Sequence, residues 1–470
     1  MERLHENFNN IKSIHLLGVG GAGMSGLAIL LKELGFLVSG CDVSYTSYVE
    51  KVTREGVFFE LGHRRSHIHK FKPDLLIYSS AIPLENEELE EAKKSNITIA
   101  KRGEVLSWIF DMKMGVGIAG THGKTTTSSM IGMLFENAGL DPTLAIGGEL
   151  CDIGVNAKLG YGKTMVAELD ESDGSFEKFH PYISVITNAD WDHVNQYPNF
   201  SCVLDAFLRY INNIKIGGSV ILCGEDKGLC MLLDKNINNC HAVTYGWGDA
   251  WDWGAENVVH LQGGGVRFSI VHNGKSEGEI ELSVSGDHNI LNALASRIVA
   301  YKMGIPFDII RNTLKEFKGA KRRLQLTGRF KDILVYDDYG HHPREISATL
   351  RALRQMFPTR KVVTVFQPHR YTRTAALYRD FADSLSFSDR VLLLPIYPAD
   401  EEPLDGVSSS LIVQMRPEWS KKWFLCGSSE IAVEILQNIV DKDDIILTIG
   451  AGDVVSIGEK YLELMSCFVN

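Results

Sequence analysis

The run Gly117-Ile118-Ala119-Gly120-Thr121-His122-Gly123-Lys124-Thr125-Thr126-Thr127 holds the residue types that bind a nucleoside triphosphate. Gly120 and Gly123 bracket a turn ending in Gly-Lys-Thr, which places free backbone N–H groups at a helix N-terminus, where phosphate is favoured. Lys124 can reach the terminal phosphates, and the Thr125 hydroxyl can sit on Mg²⁺. The pattern departs from the longer phosphate-loop consensus, because Ile118 stands where that consensus has glycine. A lone Gly-Lys-Thr also fits an ordinary strand-to-helix turn. The elements on either side weigh toward phosphate.

Two further stretches gather groups suited to metals. Glu168-Leu169-Asp170-Glu171-Ser172-Asp173 clusters four carboxylates, which is costly unless a cation neutralises some of them. Asn188-Ala189-Asp190-Trp191-Asp192-His193 adds acids and an imidazole. Mg²⁺ takes one or two carboxylates plus phosphate oxygens, which suits Thr125 and Glu168; His193 suits a second metal of softer preference. Standing alone, the acid run reads as a solvated loop and His193 as a surface histidine. Their coincidence with a phosphate loop reverses that reading.

Near the start, Gly18-Val19-Gly20-Gly21-Ala22-Gly23 is a full G-x-G-x-x-G, followed about twenty residues on by Asp42. The pattern is the dinucleotide fingerprint, with the acid suited to a ribose hydroxyl. Its physical content is a diphosphate-bearing nucleotide, of which NAD is one candidate. Ser79 and Ser80 follow an apolar run at a place where a ligand crosses strand ends, or they simply make a turn. Near the C-terminal end, Arg370 and Arg373 with His369 have guanidinium forks that match a carboxylate. Asn289 and Asn292 either cap a helix or read a base edge.

These groups need elements to position them. Met114–Ala119, Ser13–Leu17, Phe36–Cys41, Leu75–Tyr78, Lys163–Ala167 and Ile183–Thr187 read as buried parallel strands, each running into one of the motifs. Past residue 215 the spacing changes. Short runs at Val258–Leu261, Val266–Val271 and Gly278–Val284, with glycine turns, predict an antiparallel excursion. From about Arg323 a new series begins, with strands at Ile333–Tyr336, Val362–Phe366, Arg390–Leu394 and Ile445–Ile449. The class is α/β in three segments: a Rossmann-like domain over 1–110, a phosphate-loop domain over 111–322 and a second Rossmann-like domain over 323–470.

At 470 residues the chain can bury several cores. A net charge of −11 argues against nonspecific nucleic-acid binding. Nothing approaches eighteen consecutive apolar residues, so no membrane span is expected. The polar N-terminus is unlike a signal peptide. Eight scattered cysteines without a Cys-x-x-Cys pair argue against a zinc site or disulfide framework and for reduced thiols in the cytoplasm.

Taken together, Gly18 to Gly26, Ala119 to Thr127, Glu168 to Asp173, Asp337 to Pro343 and Phe366 to Thr374 resemble the Mur ligases nearly end to end. The resemblance implies a UDP-sugar domain, an ATPase domain and an amino-acid domain. It further implies ATP-driven joining of L-alanine to the lactyl carboxylate of UDP-N-acetylmuramate through an acyl phosphate, in peptidoglycan precursor synthesis. It assigns Gly18, Gly20, Gly21, Gly23, Met24, Asp42, Ser79 and Ser80 to the UDP-sugar. Gly120, Thr121, Gly123, Lys124, Thr125, Thr126, Asn289, Asn292, Arg323 and Asp338 fall to ATP. Tyr339, His369, Arg370 and Arg373 fall to alanine. Lys124, His122, Glu168 and His193 carry the chemistry, with Thr125, Glu168 and His193 on Mg²⁺, or Mn²⁺ in its place. Sister ligases place a carbamylated lysine where Phe207 stands here, which points to the alanine-adding branch. Competing readings are a relative that attaches a whole tripeptide to the same sugar nucleotide, an NAD-dependent oxidoreductase and a non-catalytic nucleotide-binding regulator. The sequence leaves both a monomer and a homodimer open.

Overall fold

The computed structural model describes residues 6–79, 81–147, 156–192, 196–233, 235, 237, 240–399, 401–419 and 421–467. Three sheets follow one another along the chain. The first has five parallel strands, Ser13–Leu17, Leu37–Asp42, Phe58–Leu61, Leu75–Tyr78 and Thr98–Lys101, in the spatial order third, second, first, fourth, fifth. Ile14, Leu16 and Leu17 have no exposed surface, which is why a strand covered on both faces reads as an unbroken apolar run. The chain leaves the first strand toward one edge of the sheet and the fourth toward the other. A crevice therefore opens between their ends, where open α/β sheets take ligands.

Among the described residues the central sheet has ten strands. Met114–Ala119 lies between Thr164–Glu168 and Ile183–Ile186, parallel to both. Three neighbouring strands thus deliver the phosphate loop, the acid run and the 188–192 segment to one edge. Here too the chain departs in opposite directions from adjacent strands, so the crevice between Met114–Ala119 and Ile183–Ile186 is a second switch point.

The antiparallel excursion lies where the short runs place it, but the change of spacing past residue 215 does not end the parallel sheet. Gly218–Cys223 and Cys240–Trp247 continue the parallel sheet, and even Trp253–His260 joins it in parallel. Antiparallel pairing there is confined to Trp253–His260, Val266–His272 and Lys275–Leu282. The reason is burial. Gly218–Cys223 is buried throughout like its parallel neighbours, whereas Cys240–Trp247 is half exposed and carries neither a clean apolar run nor a clean alternation.

In the third sheet, Ile333–Asp338, Ile445–Ile449, Val362–Phe366, Arg390–Leu393 and Trp423–Leu425 are parallel in that spatial order. An unexpected edge strand, Gln325–Phe330, pairs antiparallel with the first of them.

The helix Lys124–Asn137 anchors the site. Gly123 caps it in the left-handed conformation (φ 83°), which glycine adopts without strain. Ile131, Leu134 and Phe135 are fully buried, each worth roughly 1.5–3 kcal/mol of transfer from water. The helix Asp287–Lys302 packs closely beside it. A Cβ added to Gly123 would stand 2.8 Å from Asn292 Oδ1, so the second helix reaches the phosphate loop itself. The first and central sheets are joined through Asn156, whose Nδ2 donates to Ala22 O at 2.9 Å. Among the described residues, no helix is long and apolar enough to cross a membrane.

Candidate active site

The phosphate loop is shaped by its neighbour. Gly120 has φ 118°, and a Cβ there would lie 2.3 Å from Thr187 Oγ1 and 2.9 Å from Asn188 O. Only glycine lets the two strand ends approach so closely. Asn188 then clasps His122, its Oδ1 accepting from the backbone N–H and its Nδ2 donating to the carbonyl, each at 2.8 Å. Asp190 N donates to Thr121 Oγ1 at 2.9 Å. Gly120 and Thr121 are therefore structural members of the loop.

Lys124 folds over it. Its Nζ donates to Gly120 O at 2.6 Å and Thr121 O at 3.2 Å, and pairs with Glu171 at 2.8 Å. Burial opposes its charge, but Glu171, Asp170 and Glu168 outweigh that and hold the amine well above its ordinary range. Thr125 Oγ1 donates to Glu168 Oε1 at 3.2 Å, and Glu168 Oε2 accepts from Gly147 N at 2.8 Å. This hydroxyl–carboxylate pair beside the phosphate loop is an all-oxygen donor set, as a hard cation such as Mg²⁺ requires. His193 and Ser80 lie outside the described residues.

A cavity of ≈ 230 Å³ opens beside the loop, between the central and third sheets. Gly123, Thr125 and Thr126 line it from the loop, Asn289 and Asn292 from the neighbouring helix. Arg323 and Asp338 line it from the third sheet's side. Asn289 also reaches back to Ser285 O at 2.8 Å, and Asn292 Nδ2 donates to Asn289 Oδ1 at 3.2 Å. Asp338 accepts from Leu324 N and Gly340 N, both at 2.7 Å, while burial pushes its carboxyl up to about 6.

His122 stands where the sheets meet. Its Nε2 is 3.5 Å from Asp190 and its Nδ1 is 3.4 Å from Glu345. Burial alone would lower its pKa, but these two carboxylates raise it to about 9. Glu345 was invisible as a site residue in the sequence. Its signal was the capping box it forms with His342 at the start of Pro343–Met356, which aims its carboxylate at His122 and at Arg323, 3.3 Å away.

The residues expected around an amino acid fall into two groups. Tyr339 is partly exposed beneath the guanidinium groups of Arg322 and Arg323. His369 stacks on Tyr397, and Arg370 sits at the head of the helix Tyr371–Leu385 with φ 72°, a strained value for arginine. Arg373 is placed differently. Its fork is filled by Asp192, with bonds of 2.9, 3.1 and 3.1 Å between two buried side chains. It therefore holds the third sheet to the 188–192 segment, and Arg344 does the same through Asp190 at 2.8 Å.

In the first sheet, the glycine loop lies at the crevice between the first and fourth strands. Asp42 Oδ2 accepts from Gly20 N at 2.9 Å and Thr46 Oγ1 donates to Gly20 O at 3.0 Å, so Asp42 braces the loop itself. Gly18 takes φ 82°, and a Cβ there would stand 3.3 Å from Ser79 Cβ. Gly21 N donates to Gly18 O at 3.2 Å, closing the turn. Met24 is buried in the hydrophobic core. A Cβ on Gly23 would lie 2.8 Å from Arg102 Nη1, so a guanidinium outside any sequence motif stands beside the loop. Phe207 is fully buried and packs on Phe176 at 5.4 Å between ring centroids.

A diphosphate loop, a phosphate loop with an acidic neighbour, and a third α/β unit closing over it define an ATP-dependent ligase architecture. Three family models match in succession: the Mur ligase family catalytic domain over residues 13–113, the Mur ligase middle domain over 118–300 and the Mur ligase glutamate ligase domain over 322–452. The chain belongs to the Mur ligase family. It is 40% identical over 453 residues to UDP-N-acetylmuramate–L-alanine ligase of Aquifex aeolicus, covering 96% of this chain and 98% of that one. It is 42% identical over 456 residues to the enzyme of that name from Dictyoglomus turgidum, covering 96% and 97%. Among solved structures it is similar to UDP-N-acetylmuramate-alanine ligase of Thermotoga maritima, with TM-score 0.83 and 27% identity over 97% of this chain and 100% of that one. A murein peptide ligase of Psychrobacter arcticus shares the fold, with TM-score 0.73 and 24% identity over 97% and 98% of the two chains.

Proposed function

We propose that this chain joins L-alanine to the lactyl carboxylate of UDP-N-acetylmuramate in the cytoplasm, with ATP converted to ADP and phosphate. The observation that carries this reading is the cavity between the phosphate loop and the third sheet. It brings Thr125, His122, Arg323 and Asp338 around one space, as a reaction between a nucleotide and two further substrates requires. The full-length similarity to alanine-adding relatives supports the choice of amino acid.

On this reading the diphosphate of the sugar nucleotide lies on Gly18 to Gly23 with Arg102 beside it, and ATP lies on Gly120 to Thr126 against Asn289, Asn292, Arg323 and Asp338. Thr125 and Glu168 would hold Mg²⁺, which when bound would offset charge on the phosphate oxygens. Lys124, kept protonated by its acidic neighbours, faces the γ-phosphate. The sugar's carboxylate attacks the γ-phosphorus, ADP leaves, and the resulting acyl phosphate is a far better electrophile than the carboxylate. The alanine amine then attacks the acyl carbon, and inorganic phosphate leaves from the tetrahedral intermediate. His122, an imidazolium at neutral pH, balances the charge that develops on the departing phosphate. Arg370 takes the alanine carboxylate, with Tyr339 and His369 as walls.

Phosphate release from ATP by the purified protein, with UDP-N-acetylmuramate and each of several amino acids or the tripeptide, tests this. Turnover should depend on L-alanine. Turnover that requires the tripeptide and ignores alanine would assign the chain to the tripeptide-attaching reaction instead.

A further inference from the structure

Behind the glycine loop, the first sheet carries a second polar cluster that the proposed reaction does not use. His15 from the first strand, Cys41 from the second, His67 from the helix Arg65–Phe71 and Glu88 from the helix Glu87–Lys94 meet in the interior. His15, Cys41 and Glu88 have no exposed surface and His67 has 4%. One ligating atom from each lies within 4.8 Å of all the others. Glu88 is the hub: its Oε2 is 3.1 Å from His15 Nε2, and its Oε1 is 3.0 Å from His67 Nδ1 and 3.2 Å from Cys41 Sγ. His63 closes the cluster on the solvent side, with Nδ1 3.2 Å from Cys41 Sγ and 3.6 Å from Glu88 Oε1.

Charge makes this arrangement unusual. A fully buried carboxylate that stays ionised is normally paired with a cation or bound to a metal. Glu171 has Lys124, Asp192 has Arg373, and Asp337 has Arg322. Among the described residues no Lys or Arg side chain pairs with Glu88; only imidazoles, a thiol and the Arg64 backbone N–H reach it. The geometry suits one ion. Tetrahedral zinc with bonds of about 2.0–2.3 Å places neighbouring ligand atoms roughly 3.3–3.7 Å apart; the contacts of Glu88 with His15, His67 and Cys41 are 3.0–3.2 Å, so the side chains need to spread by only a few tenths of an ångström to admit the ion. His15 has the outer-sphere partner that ligating histidines carry, its Nδ1 lying 2.8 Å from Ser39 Oγ, which itself reaches Ile14 O.

We propose that His15, Cys41, His67 and Glu88 form a binding site for one thiophilic divalent cation of the zinc class, with His63 at its entry. Sulfur and nitrogen donors exclude Mg²⁺ as the preferred occupant. The ligands come from positions 15, 41, 67 and 88, so no local cysteine spacing announces them. The ion would act on the neighbouring loop, because Cys41 O accepts from Gly18 N at 2.9 Å and Val19 N at 3.1 Å. Fixing Cys41 fixes the strand end from which the diphosphate loop springs.

The test is titration of chelator-treated, full-length protein with Co²⁺ alone, without nucleotide. One equivalent should bind with intense thiolate-to-cobalt charge-transfer absorption, and Zn²⁺ should displace it. Cys41→Ser should abolish that absorption, and Glu88→Gln should weaken binding at least about tenfold. Absence of the charge-transfer band, or its persistence in Cys41→Ser, would overturn the assignment. X-ray absorption at the zinc edge of the unsubstituted protein is independent of the variants' folding. It should find one sulfur with nitrogen and oxygen neighbours, and a shell without sulfur would overturn the proposal as well.

Discussion

Replacing Arg373 by alanine should damage the molecule more through Asp192 than through any lost substrate contact. Both side chains are under a tenth exposed, and they share bonds of 2.9, 3.1 and 3.1 Å across the junction of the central and third sheets. At about 3 Å and an effective dielectric of roughly 20, Coulomb attraction is on the order of 5 kcal/mol, most of it offset by desolvating the two charges. Removing one partner leaves the other buried charge without its bidentate counter-ion, at a cost of about 3–5 kcal/mol. The double variant Asp192→Leu/Arg373→Met removes both charges and should recover most of that loss. The assay is urea unfolding of the wild type, the two single variants and the double variant, with midpoint and slope read together so that a change in cooperativity is recognised. We expect a coupling energy of about 3 kcal/mol. Additive single effects, with coupling under about 0.5 kcal/mol, would show that the pair is solvated and refute the reasoning.

Lys124→Ala should reduce phosphate release by about 10³-fold or more while the sugar nucleotide still binds by calorimetry, because the first sheet's loop is built separately. Near-normal turnover would remove Lys124 from the site. Arg370→Ala should raise KM for alanine at least about tenfold with a smaller change in kcat, since a desolvated carboxylate loses a charge-assisted partner; an unchanged KM places that carboxylate elsewhere. His122 gives a pH signature. Its folded pKa of about 9 lies above the ordinary 6.5, so its stabilisation is fully present below pH 6.5 and lost as pH rises through 9. Unfolding free energy should fall by on the order of 3 kcal/mol across that window, and His122→Asn should flatten the fall. A wild-type profile no steeper than the variant's would contradict the placement of Asp190 and Glu345 around the ring.

Much of this was legible because parallel strands covered on both faces read as apolar runs that stop at the motif they carry. Met114–Ala119 and Ile445–Ile449 were found to the residue. Edge strands and very short strands gave no such signal. Gln325–Phe330 is half exposed and contains Gly328, while Thr143–Ala145 and Ala157–Lys158 are too short to show a period. The motifs marked the phosphate loop and Glu168 because their residues are close in sequence. Asp192 and Arg373 lie 181 residues apart, so nothing local indicated that Asp192 would occupy a fork expected to be open. Asp42 followed the same logic: the fingerprint located it, but its contact with Gly20 depends on a turn the pattern does not describe.

The segment 188–192 has a further consequence. On one side Asn188 and Asp190 hold the phosphate loop, and on the other Asp190 and Asp192 hold Arg344 and Arg373 of the third sheet. A single short stretch of backbone is therefore common to the phosphate loop and to the third sheet's side of the cavity, where the proposed function places ATP and the amino acid. Any shift of it that one ligand favours is felt by the other, and thermodynamics makes the effect reciprocal. Whatever factor ATP applies to the affinity for the amino acid, the amino acid must apply to the affinity for ATP.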